Sequence, residues 1–212
     1  MGTLLLLLHI AAGFIALATG LAAMLYDKTS LAHRKTGLWY YYAMCIIFLT
    51  GVPLAWMHAN WFLLSISFFA FYLSFTGYRF ARRKHRSFQW LDKGIAGLFL
   101  LISLSMLGYS LYLYQKGHVD AAIILVVFGS IFLTSSGQDS LVFWGWRRES
   151  KHWIRGHIGR MGGSYIAALT AFLVNVIDFL PPVMSWLGPT VIGTILITRS
   201  IRHYRQKWQL DQ

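Results

Sequence analysis

Cysteine is almost missing from this chain, acidic residues are scarce, and no polar stretch is long enough to form a soluble domain. The one cysteine, Cys45, lies inside an apolar run, which excludes disulfides and any cysteine-based zinc site. Seven Asp and Glu stand against nineteen Lys and Arg. Charged residues make up 12% of the chain, where soluble domains carry about 25%. No nucleophile elbow, phosphate loop or dinucleotide fingerprint is present, so the familiar soluble-enzyme mechanisms are excluded as well. What fills the 212 residues instead is hydrophobic sequence: 57% is apolar, and the mean hydropathy is +0.54.

The run that starts at Leu4 to Leu8 has no Lys or Arg before it and stays apolar to Tyr26. That is too long for the core of a secretory signal, and an uncleaved first span is expected. The start Met-Gly-Thr-Leu-Leu-Leu also lacks the Ser or Thr that a myristoylation signal carries at its sixth position. A bilayer core about 30 Å thick needs roughly 20 apolar helical residues. By that measure spans are expected near 3–26, 37–57, 61–80, 94–114, 121–144, 157–177 and 184–201. The fold class is therefore all-α, a single polytopic transmembrane bundle of about seven helices. Pro189 is placed in the first turn of the last span, where no intrahelical bond is lost.

Placement of the basic residues gives the bundle a direction. Lys28, Arg34 and Lys35 follow the first span; Arg79, Arg82, Arg83, Lys84, Arg86 and Lys93 follow the third. Arg147, Arg148, Lys151, Arg155 and Arg160 surround the next alternate connection, and Arg199, Arg202, Arg205 and Lys207 end the chain. Eighteen of nineteen thus fall at alternate span ends, with Lys116 the exception. The positive-inside rule then puts the N-terminus outside and the C-terminus in the cytoplasm, as in a multi-pass protein of the plasma (inner) membrane. The formal charge of +12 is read as topology determinants beside anionic lipid, with no nucleic-acid partner. Trp39 to Tyr42, Trp56, Trp61, Trp144, Trp146, Trp153 and Trp186 cluster near span ends and suit interfacial belts. Small residues at near-helical spacing mark two expected packing seams: Ala12, Ala16, Gly20 and Ala23, and Gly159, Gly163, Ala167 and Ala171.

Polar groups at membrane depth are the remaining signal, because each is expensive to keep there. Ser135-Ser136-Gly137-Gln138-Asp139-Ser140 interrupts the fifth span. The helix either continues through with these groups turned inward, or unwinds, or ends at the interface. A buried or cavity-lining Asp139 is favoured, because Leu141 to Trp144 still read as lipid-immersed. On the same side lie His33, before the second span, and His157, opening the sixth. His33, Asp139 and His157 would make a divalent-metal set. The same placement allows a structural ion pair, in which Asp139 meets Arg160 or protonated His157. On the outer side His9 is embedded among leucines, and is either a ligand or hydrogen-bonded to a neighbouring helix. His58, His118 and Asn175 also lie there, while His85, His152 and His203 are expected in solvated loops or the tail.

Two histidine levels invite comparison with di-haem membrane cytochromes of the b type. Yet His33 and His58 flank the second span about 37 Å apart, too far for two embedded haems on one helix. A single haem held by His33 and His157 remains open. A seven-span zinc-dependent lipid hydrolase is disfavoured, because the last span holds no histidine before His203. The motifs Leu8-His9-Ile10-Ala11-Ala12-Gly13, His33-Arg34-Lys35-Thr36-Gly37 and His157-Ile158-Gly159-Arg160-Met161, with Tyr165 to Phe172 and Asn175 beyond, carry one further likeness. In these the chain resembles, over most of its length, a family of bacterial polytopic membrane proteins with a domain of unknown function. The resemblance implies a compact multi-span bacterial protein and directs attention to His9, His33 and His157; it implies no activity. Three functions are expected in order: a module binding haem or a divalent metal for electron or proton transfer; a transporter or proton-coupled carrier with Asp139 on its path; and a non-catalytic membrane assembly protein.

Overall fold

The computed structural model describes residues 2–83, 90–144 and 153–207. Lys84, His85, Arg86, Trp146, Arg147, Arg148, Lys151 and His152 lie outside them. Among the described residues there are seven helices and no strand: α1 (Gly2–Leu25), α2 (Leu31–Met57), α3 (Trp61–Arg83), α4 (Trp90–Gln115), α5 (Val119–Phe143), α6 (Trp153–Val176) and α7 (Pro182–Lys207). The first five contain stretches long and apolar enough to cross a membrane, so this is a membrane-embedded, all-α protein. Its outer surface agrees. Leu4, Leu7 and Phe14 of α1 are each more than half exposed, while the residues α1 buries are only Ala12, Ala16, Gly20 and Ala23. Lipid solvates the large side chains, and the small ones let backbones approach.

Two four-helix squares share one edge. In the first, α1 packs on α2 and α6, and α3 also packs on α2 and α6, so α2 faces α6 across one diagonal. In the second, α3, α6, α7 and α5 follow one another round, and α4 lies outside against α5 and α3. The main apolar core joins α3, α4 and α5. Phe69, Tyr72, Phe99, Phe128 and Phe132 are all buried there, with ring centroids 5.0–6.0 Å apart along the chain of contacts. Aromatic pairs at that spacing add about 0.5–1.5 kcal/mol each beyond area burial.

Two helix starts move residues from their expected places, each for a local reason. Helix α2 starts at Leu31 and not near 37, because Ser30 caps it: its Oγ accepts the His33 backbone N–H at 3.0 Å. His33 therefore sits in the first turn of α2 and not before it. Helix α7 opens on Pro182, which leaves Pro189 in the helix interior and not in the first turn. Helix α5 runs unbroken through the Ser135 to Ser140 patch, with Ser136, Asp139 and Ser140 buried.

The α1 seam is the expected one, and the α6 seam holds in part. A Cβ on Gly163 would fall 3.2 Å from Leu73, and Ala167 is buried, but α6 also buries Arg160, Ser164 and Thr170, and a Cβ on Gly159 would meet nothing within 4 Å. Trp186, near the start of α7, is half-buried and packs on Phe62 and Phe128, at 5.0 and 6.4 Å. Trp90, absent from the expected belt, is 79% exposed.

A close approach between two anchored rings lies at Gly20. A Cβ there would fall 2.5 Å from the Tyr165 ring and 2.9 Å from the Tyr40 ring. Both rings are anchored by their hydroxyls, Tyr40 to Ser164 at 2.6 Å and Tyr165 to the Leu17 carbonyl at 3.3 Å. Gly20→Ala is expected to destabilise the protein by about 1–3 kcal/mol through overpacking. Gly13→Ala on the same helix, with nothing within 4 Å, should be neutral or stabilising. Thermal unfolding of both variants in one detergent distinguishes them.

Candidate functional site

Each square encloses a polar centre, and the two centres differ in how much of their valence is used. In the second square, Arg160 of α6 reaches Asp139 of α5 in a bidentate pair, Nη1 to Oδ2 and Nη2 to Oδ1, both 2.9 Å. Arg160 Nη1 also donates to the Tyr72 hydroxyl and to Thr76 Oγ1, both 2.9 Å, and Nη2 to the Ser135 carbonyl at 3.2 Å. Tyr72 in turn donates to Asp139 Oδ2. The guanidinium carbon stands 5.2 Å from the Tyr72 ring centroid and 5.5 Å from that of Phe80. Arg160 is 9% exposed and Asp139 4%. A guanidinium is the cation suited to such a place, since its fork matches a carboxylate and still leaves N–H groups for neighbours. The ion-pair reading thus describes Asp139. Arg160, counted above among the loop charges, lies inside the bundle.

Tyr72 and Thr76 carry no signal of their own in an aromatic run. Their spacing of one helical turn, opposite a buried charge, is the pattern that would have found them. Ser103 of α4 extends the polar layer to Ser136 at 3.2 Å. Every oxygen of Asp139 is engaged, which leaves little for a transported ion or a metal.

The first square holds the other centre. His33 of α2 and His157 of α6 meet across the diagonal, with ring centroids 6.3 Å apart and planes at 88°. Each ring is anchored through Nδ1 to a backbone carbonyl, and the two anchors belong to the other diagonal. His33 bonds Ala23 of α1 at 2.7 Å, and His157 bonds Gly77 of α3 at 2.9 Å. A carbonyl can only accept, so in both rings Nδ1 carries the proton, and in the neutral imidazole Nε2 is left with its lone pair. This tautomer, fixed by a carbonyl, is the one metal-ligating histidines adopt.

Lys28, in the turn between α1 and α2, donates to the Ala23 carbonyl at 3.1 Å, sharing it with His33. Partial burial lowers its pKa from the ordinary lysine range, and Asp27 beside it acts in the opposite sense. Seven residues further along both α2 and α6, about 10.5 Å of helix, the Tyr40 hydroxyl and Ser164 Oγ bond across the same diagonal at 2.6 Å. Tyr40→Phe and Ser164→Ala should each cost about 1 kcal/mol, and the double variant no more than either, read by chemical unfolding.

Of the residues expected to form one metal set, the structure brings His33 and His157 together and ties Asp139 to Arg160. Among the described residues no group of three or more His, Cys, Asp and Glu gathers as a metal site would require on its own. His9 stands apart. Its Nδ1 donates to Thr50 Oγ1 on α2 at 2.9 Å, and Thr50 donates onward to the Ile46 carbonyl at 2.7 Å. It lies fourteen residues up α1 from Ala23, about 21 Å along the helix. His58 bonds the Leu54 carbonyl of its own helix. Compared with protein-family models, with curated proteins and with solved structures, the chain finds no match.

Proposed function

We propose that the protein is a seven-span component of the plasma membrane, N-terminus outside and C-terminus in the cytoplasm, that holds a metal centre between His33 and His157 for electron or proton transfer. The centre is a haem or a transition-metal ion. One observation carries this: two imidazoles from facing helices, 6.3 Å apart, both with Nδ1 fixed on backbone and Nε2 open. Sites in helical bundles are built in this way, from side chains on facing helices. The seven-span reading draws support from α6 and α7, whose 24 and 26 residues match the bilayer in length. The direction draws it from the basic residues at alternate ends, which would also attract anionic lipid. We further propose that the chain belongs to the bacterial membrane family its motifs resemble.

The test is to purify the full chain from membranes and measure its absorbance and transition-metal content together. One haem or metal ion per chain is expected. Protein free of both, which also fails to take either up when offered, would remove the reading.

A further inference from the structure

We infer that His33 and His157 bind their metal trans to one another, as the two axial imidazoles of a haem iron or the two ends of a linear ion such as Cu(I). This rests on the metal-binding reading of the pair. The spacing agrees with that geometry. With a metal–nitrogen bond of about 2.0–2.1 Å, an imidazole centroid stands about 3.2 Å from its metal. Two such rings on one tetrahedral ion have centroids about 5 Å apart, and two trans rings about 6.3 Å. The observed separation is 6.3 Å.

The anchors agree. His33 and His157 leave α2 and α6 on one diagonal, and their Nδ1 atoms are tied to α1 and α3 on the other. Both rings are thus held in place from the other diagonal. A tetrahedral site would also need further protein ligands, and no third His, Cys, Asp or Glu joins the two among the described residues.

The consequence is functional. A haem iron with both axial positions filled by protein has no vacancy for oxygen or substrate, so it carries electrons and leaves substrate chemistry elsewhere. A linear Cu(I) pair is likewise a holding or relay site. Lys28, whose ammonium shares the Ala23 carbonyl with His33, places a fixed positive charge beside either centre. Such a charge favours the reduced form. The ring planes cross at 88°. On ferric haem, crossed imidazoles leave the two iron orbitals that bond them nearly degenerate, and the low-spin EPR spectrum becomes strongly anisotropic.

The experiment uses the full chain in nanodiscs, as purified and after titration with haemin or with Ag(I) as a redox-inert stand-in for Cu(I). In the haem arm we expect a low-spin spectrum with a strongly anisotropic EPR signal. His33→Gly should turn it high-spin or release the haem, and free imidazole should restore it, which also shows that the variant is folded. In the linear-ion arm we expect one Ag(I) per chain, lost at least tenfold in affinity in His33→Gly and in His157→Gly, with a two-nitrogen shell by X-ray absorption. Bound metal with a four-neighbour shell, or a haem that is high-spin in the unaltered protein, overturns the trans geometry and leaves metal binding standing. Failure to take up any of these removes both readings.

Discussion

Asp139→Ala is expected to destabilise the protein by about 3–5 kcal/mol, enough to deplete the folded protein from the membrane. The reason is what the variant leaves behind. Arg160 would keep its charge at 9% exposure with the bidentate acceptor gone and only the Tyr72 and Thr76 hydroxyls and one carbonyl to face. Removing both charges should hurt much less. Asp139→Leu combined with Arg160→Met substitutes apolar groups of similar size, and such replacements are often neutral. Arg160→Lys should not substitute for the native residue, because one ammonium cannot span Asp139, Tyr72, Thr76 and the Ser135 carbonyl together. Unfolding of the four proteins by a denaturing detergent, followed by loss of helical circular dichroism, ranks them. A single Asp139→Ala variant as stable as the parent would show the pair contributes nothing to the fold.

The second large effect is expected at the histidines. His157→Ala and His33→Ala should each abolish stoichiometric metal or haem binding, since a trans centre keeps only one protein ligand in either variant. His9→Ala should leave binding intact, because His9 lies about 21 Å along α1 from the pair and is committed to Thr50. Its effect should instead be on stability, about 1 kcal/mol for a lost interhelical hydrogen bond. Metal content and unfolding, measured on the same three preparations, separate a ligand from a packing residue.

Much of this architecture was legible because lipid imposes strong rules on sequence. Length and hydropathy locate the helices, and Ala12, Ala16, Gly20 and Ala23 announce the α1 seam by size and spacing alone. The start of α2 was misjudged because hydropathy ignores helix that is polar: Ser30, Arg34 and Lys35 belong to a helical end that a capped first turn makes stable. The α6 seam is legible only in part, for a related reason. Gly163 and Ala167 pack as their size suggests, yet the buried face also carries Arg160 and Ser164, whose partners on α5, α3 and α2 cannot be read from α6 itself.

The histidines illustrate the same limit. Sequence put His33, His157 and Asp139 at one end of the bundle but could not say which of them meet. That depends on how the helices are arranged in the two squares. Asp139 turns into one square, where a cation waits, and the imidazoles turn into the other. A periodicity does survive to be noticed: His33 with Tyr40 and His157 with Ser164 repeat at seven residues on two helices running the same way.

The most direct test of the central claim is bound haem or metal per chain in the unaltered protein beside His33→Ala, His157→Ala and His9→Ala, each purified from the same membranes and shown folded. The account predicts about one per chain in the unaltered protein and in His9→Ala, and none in the other two. Equal occupancy in all four, or none in any, would contradict it.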